Sequence, residues 1–296
     1  MKQLFEWNRD ALLKSPLFAP LHPVLANLKG NEFPSLDDCN ALLVARRQRI
    51  TVQGGLPLRF VAQEYGKLAF EEQYEPRCYL KGEVQTRERN WHDLLNALVW
   101  LTFPKAKAAI NVRHYQALTG ERGAVESQRG AVRDMNTLFD ESGVVAVCAD
   151  AELAALLRDF RWKELFWQRR DQVQTKMGFY LFGHGLYEKA LNPYLGLTGQ
   201  GLLLAVEHEY FAWSSSKQLE YLDGLLADYL NAPTHCLRTR ELNPVPVLGV
   251  PGWAADNGCA EYYDNTGYFR PGRRAPRTFK VRGEIPSVLT HEKNRS

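Results

Sequence analysis

The run Asn90-Trp91-His92-Asp93-Leu94-Leu95-Asn96, continuing as Ala97-Leu98-Val99-Trp100-Leu101-Thr102-Phe103-Pro104, constrains this chain more than any other segment. Asn90 has the side chain of a helix N-cap, the apolar residues recur at helical spacing, and Pro104 can open a following helix but not continue this one. The spacing predicts a helix from Asn90 to about Phe103, with Leu94, Leu95, Leu98 and Leu101, together with Trp91 and Trp100, facing a core. The apolar stretch from Leu94 to Phe103 is far shorter than the ~20 residues that cross a bilayer. The helix therefore belongs inside a folded protein, and no membrane span is expected.

A chain of 296 residues with 45% hydrophobic, 11% aromatic and 24% charged residues has the balance of a folded domain and length enough for a sizeable core. Its net charge of +3 is uneven, because the 29 basic and 32 acidic residues before Arg270 leave that body slightly acidic. The body thus lacks the broad phosphate-neutralising charge of a dedicated nucleic-acid binder. Five widely spaced cysteines form neither a CxxC pair nor a zinc-knuckle array, and a reducing compartment follows. Glu6, Arg9 and Asp10 interrupt any signal-peptide core, so the expected location is cytoplasmic.

The expected fold is α+β and helix-rich, with a few short strands. Ser35 with Asp38 reads as a capping box opening a helix, and Leu58 to Val61 as a strand. A second helix runs from Pro104 through Asn111 and His114. Residues 137–148 read as a hairpin, with Thr137-Leu138-Phe139-Asp140 and Val144-Val145-Ala146-Val147-Cys148 flanking a turn at Glu141-Ser142-Gly143. Asp150 caps a further helix, Phe179 to Phe182 is a strand, His184 to Leu191 a helix, and a long helix starts near Ser215. Residues 243–271 should form an ordered wrapping loop. The domain expectation is a single globular unit over 1–270 and a basic, disordered tail over 271–296.

Two groups of residues can carry chemistry. His92 and Asn96, four apart on one face of an apolar helix, suit a pocket in which His92 is a general base or metal ligand and Asn96 orients water or substrate. The structural alternative makes Asn90 and Asp93 a capping box and leaves His92 and Asn96 bonded to a loop. Gly183-His184-Gly185 stands at a strand-to-helix junction, with Glu188 one turn on, so that His92, His184 and Glu188 form one possible ligand set. Alternatively, the glycines serve packing and Glu188 pairs with Lys189 or Lys107. Asp140 or Glu141 is the other carboxylate available, and adjacent acids on a strand face opposite ways, so only one would enter a pocket. Nucleophilic classes are disfavoured: there is no GxSxG elbow, no Cys-His protease context, and Gly196-Leu197-Thr198-Gly199-Gln200-Gly201 lacks the Lys-Ser/Thr of a phosphate loop.

The run Gly82 to Asp93, with Asn96 to Trp100 and Phe103 to Lys107, resembles a bacterial family known as domain of unknown function 3025. Leu138-Phe139-Asp140-Glu141, Phe182-Gly183-His184 with Tyr187-Glu188-Lys189, and Val247 to Trp253 resemble it too. The resemblance covers roughly residues 10–270 and implies full-length membership and a bacterial origin; it carries no activity with it.

The leading expectation is a metal- or acid/base-dependent hydrolase of a small polar or phosphorylated substrate. His92, Asn96, His184 and one of Asp140 and Glu141 would be catalytic, with a divalent metal ion as the cofactor if there is one. Two alternatives stand beside it: a non-enzymatic binding or scaffold protein knitted by a buried polar network, and a nucleic-acid-associated protein using the basic tail with Arg87 and Arg89. The first requires His184 to meet His92.

Overall fold

The computed structural model describes residues 6–46, 48–120 and 126–272, the side chains of 126–129 excepted. Within them the architecture is helix-rich α+β. The helices are α1 (Arg9–Lys14), α2 (His22–Leu25), α3 (Leu36–Val44), α4 (Tyr74–Lys81), α5 (Trp91–Thr102), α6 (Pro104–Thr119), α7 (Glu126–Ser142), α8 (Ala151–Arg158), α9 (Arg170–Lys176), α10 (His184–Ala190) and α11 (Ser215–Asn231). Strands β1 (Arg59–Ala62) and β2 (Glu83–Thr86) form a small parallel pair. Strands β3 (Gly143–Cys148), β4 (Met177–Leu181), β5 (Thr198–Ala205) and β6 (Asn243–Pro246) form a sheet ordered β4-β3-β5-β6, in which only β3 and β5 run parallel.

Every residue of β3 is buried, as suits an unbroken Gly-Val-Val-Ala-Val-Cys run covered on both faces. The hairpin expected over 137–148 does not form. Thr137 to Ser142 are the last turns of α7, and Gly143 starts β3 with no intervening loop; the antiparallel partner of β3 is β4. The reason is periodicity: Met135 and Phe139, four apart, are both fully buried, so the stretch continues a helical stripe from upstream. A Cβ at Gly143 would collide with the carbonyl of Phe139, which is how helix and strand can meet so abruptly.

The central helix α5 runs from its Asn90 cap to Thr102, with Leu94, Leu95, Leu98, Trp100 and Leu101 buried. Asn90 accepts the Asp93 amide at 3.1 Å, but no capping box closes. The Asp93 carboxylate turns the other way, accepting from the Arg87 backbone at 2.7 Å and from its Nε and Nη2 at 2.9 and 2.7 Å. A charged guanidinium held at two points outcompetes a neutral backbone amide.

Helix α6 has Phe103 at its N-cap, whose side chain accepts nothing. Asp223 of α11 supplies the cap from outside, accepting from the amides of Lys105 and Ala106 at 3.1 and 2.9 Å. Capping boxes or caps form as expected at Ser35 and Asp150. The Gly196–Gly201 loop is largely the start of β5, and the stretch from Asn243 wraps the body in short turns after β6. Of the tail expected over 271–296, residues 273–296 lie outside the described residues. Among the described residues no helix is long and apolar enough to cross a membrane.

Candidate functional site

Three helix ends meet at one cleft. His92 stands in the first turn of α5, Asp140 and Glu141 in the last turn of α7, and His184 at the first position of α10. The close approach of α10 to the α7–β3 junction depends on the glycines flanking His184. A Cβ at Gly183 would be driven into the backbone of Glu141 to Gly143, and one at Gly185 into the Glu141 carboxylate. The packing role of the glycines and the placing of His184 are therefore one fact.

The Nε2 atoms of His92 and His184 lie 3.1 Å apart. Glu141 Oε1 is 3.4 Å from His184 Nε2 and 3.7 Å from His92 Nε2. Behind His92, Glu188 Oε2 lies 3.0 Å from Nδ1, so Glu188 serves the outer nitrogen and Glu141 takes the place beside the two inner ones. Glu188 pairs with neither lysine expected for it. Lys107 instead reaches Asp140 Oδ1 and Oδ2 at 2.6 and 2.8 Å and Asn96 Oδ1 at 2.9 Å, while Asn96 donates to the Tyr74 hydroxyl at 2.7 Å.

His92, Asn96, Asp140, Glu141 and His184 all line one cleft of about 250 Å³. Both Asp140 and Glu141 enter it: adjacent residues at a helix end diverge by only about 100°, unlike neighbours on a strand. Asp140 is held below the usual carboxylate range although burial pushes the other way, because Lys107 and His184 outweigh it. Glu141 is lowered chiefly by its contact with His184, with burial opposing. Both are carboxylates at neutral pH.

The tautomers follow from the neighbours. A carboxylate at His92 Nδ1 fixes a proton there, so the Nε2 of a neutral His92 carries a lone pair. His184 Nδ1 is buried without a hydrogen bond, 3.7 Å from Asp140 Oδ2. A proton on Nδ1 suits Asp140 but sets two Nε2 lone pairs face to face; a proton on Nε2 alone sets the Nδ1 lone pair against a carboxylate. An N–H on His184 Nε2 can donate to His92 Nε2 across 3.1 Å, and a cation between the rings can be shared by both nitrogens. Among the described residues, His92, Glu141 and His184 form the group whose ligand atoms converge closely enough to hold a metal ion.

Residues of α6 missed by the sequence reading complete the site. Lys107, Asn111 and His114 follow at i, i+4 and i+7, a polar stripe on an alanine-rich helix that was there to be read. His114 is buried and lines the cleft. Asn111 donates to Glu75 Oε2 at 2.6 Å and anchors another lining residue.

No curated protein and no solved structure matches this chain. The family model described as protein of unknown function (DUF3025) matches residues 58–273, a span containing every residue of the cleft. The chain belongs to that family.

Proposed function

We propose that this chain is a divalent-metal-dependent hydrolase of a small polar substrate, its ligands being His92 Nε2, His184 Nε2 and Glu141 Oε1. The observation that supports this reading is the triangle those atoms form. With sides of 3.1, 3.4 and 3.7 Å it has a point about 2.0 Å from all three corners, the bond length of a zinc-type ion to imidazole and carboxylate. Three protein ligands leave further positions for water and substrate.

Two imidazoles and a carboxylate suit first-row divalent ions such as zinc better than calcium or magnesium. An ion so held supplies a water acidic enough to be a nucleophile near neutral pH. The chain's own groups do the rest. Glu188 keeps the Nδ1 proton on His92 and so aims its Nε2 lone pair inward, and Asp140 is placed to do the same for His184. Lys107 ties Asp140 and Asn96 together and so braces two residues of the wall. His114 is the group available to pass a proton to a leaving atom.

The scaffold alternative draws on the Lys107–Asp140–Asn96–Tyr74 network, which is well satisfied internally. Hydrolysis assays separate the two. Protein reconstituted with zinc or manganese should turn over members of a panel of small amides, esters and phosphomonoesters, lose that activity on chelation, and regain it on adding the ion back. Glu141→Gln should remove it. Metal-independent turnover, or none on any member, contradicts the proposal, as does retention of iron with dioxygen-dependent chemistry.

A further inference from the structure

Arg87 is the one permanent cation among the described residues that line the cleft, which otherwise carries Glu75, Asp93, Asp140 and Glu141. Its guanidinium is oriented, because Asp93 accepts from Nε and Nη2. That leaves Nη1 and the second N–H of Nη2 with no hydrogen bond among the described residues, on a side chain that is 42% exposed and belongs to the cleft lining. A guanidinium needed only to pin the loop before α5 could do so fully turned inward, and the backbone N–H of residue 87 already makes a 2.7 Å bond to the same carboxylate. Here one edge is fixed and the other is presented.

We infer that Arg87 is a substrate-anchoring residue, and that the substrate is a small molecule carrying a carboxylate a few bonds from the group cleaved. The class follows from charge and size. The one guanidinium edge left over in an acidic cleft matches a singly charged carboxylate, which it can hold bidentately; a phosphate dianion brings more charge than one guanidinium offsets and meets Glu75 and Glu141, which neither Arg87 nor Lys107 neutralises. A cleft of about 250 Å³ suits a small molecule, whose two ends are close together. The inference rests on the proposed ion for which end is cleaved, but the anchor itself is a property of Arg87.

The test measures binding of succinate, acetate and inorganic phosphate to the full chain by calorimetry, with and without saturating zinc, for wild type and Arg87→Lys. Lysine keeps a cation for Asp93 and the backbone bond, so the fold should survive, but its single ammonium nitrogen lacks the second two-nitrogen edge with which a guanidinium holds a carboxylate bidentately. With zinc, succinate should bind at least ten-fold more tightly than acetate, and Arg87→Lys should remove that advantage while leaving zinc affinity unchanged. Equal binding of succinate and acetate, or an advantage untouched by Arg87→Lys, overturns the inference. Phosphate binding more tightly than succinate in an Arg87-dependent way overturns the carboxylate class. If zinc does not bind, the proposed ion is wrong; carboxylate binding that still depends on Arg87 then supports the anchor, and binding that does not depend on it rejects the anchor as well. A second variant, Arg87→Gln, removes the charge altogether and should abolish the succinate advantage as Arg87→Lys does.

Discussion

His92 Nδ1 and Glu188 Oε2 lie 3.0 Å apart across two helices, on the side of the imidazole away from the cleft. The contact decides which nitrogen of His92 faces Glu141 and His184. A carboxylate behind a ligating histidine fixes its tautomer and raises its basicity, and losing such a partner costs about 10- to 100-fold in metal affinity. Glu188→Gln should therefore weaken zinc binding by about that factor without unfolding the protein, as read by competition with a chromogenic chelator. An unchanged affinity would mean that Glu188 plays no part in aiming His92.

Gly185→Ala should strike the site more than the fold. The added methyl meets the Glu141 carboxylate first, the movable end of a side chain, with the Glu141 carbonyl next at 3.0 Å, so Glu141 is expected to swing away. The variant should melt within a few degrees of wild type yet bind zinc at least ten-fold more weakly. Gly183→Ala meets only backbone, at Glu141, Ser142 and Gly143, and far more closely, so its expected signature is a lowered melting temperature.

Lys107 and Asp140 form a buried pair, with side chains 4% and 16% exposed. Removing one partner leaves an uncompensated charge, which costs about 3–5 kcal/mol. Lys107→Met should lose about that much in denaturant unfolding, and adding Asp140→Asn should recover part of it. Strictly additive losses would show that the two groups do not stabilise one another.

Asp223 gives the stability a pH dependence. Burial raises its pKa to about 6 despite the two amides it caps. The folded pKa lies above the unfolded one, so its effect favours folding fully below pH ~4 and is lost as pH rises through about 6, worth about 3 kcal/mol in all. The difference in unfolding free energy between wild type and Asp223→Asn should shift by roughly that amount across this interval. Carboxylates with lowered values, such as Asp140, act oppositely and are common to both proteins, so they cancel in the comparison. A constant difference between pH 4 and 7 would contradict the buried, protonatable cap.

Much of the fold was legible where local chemistry decides it. The caps at Asn90, Ser35 and Asp150 and the stop at Pro104 act within a few residues, and the helices α3, α5, α6 and α8 lie where those signals put them. Legibility failed at Thr137 to Gly143, where a short apolar stretch with a glycine fits a turn as well as a helix end. Only the burial of Met135 and Phe139 against distant partners selects the helix. The six side chains singled out around His92 and His184 do gather in one region, but their division of labour was hidden. Whether Glu141 or Glu188 faces the inner nitrogens depends on how α10 lies across α7, a long-range packing fact set by Gly183 and Gly185.

The central claim is that His92, His184 and Glu141 hold one metal ion. Titration of chelator-treated protein with zinc, followed by calorimetry at pH 7, tests it most directly. The account predicts one ion per chain, proton release on binding, and affinity at least 100-fold weaker in each of His92→Ala, His184→Ala and Glu141→Ala, while the variants keep the far-ultraviolet circular dichroism of wild type. No stoichiometric binding by wild type, or binding that survives all three substitutions, would contradict it.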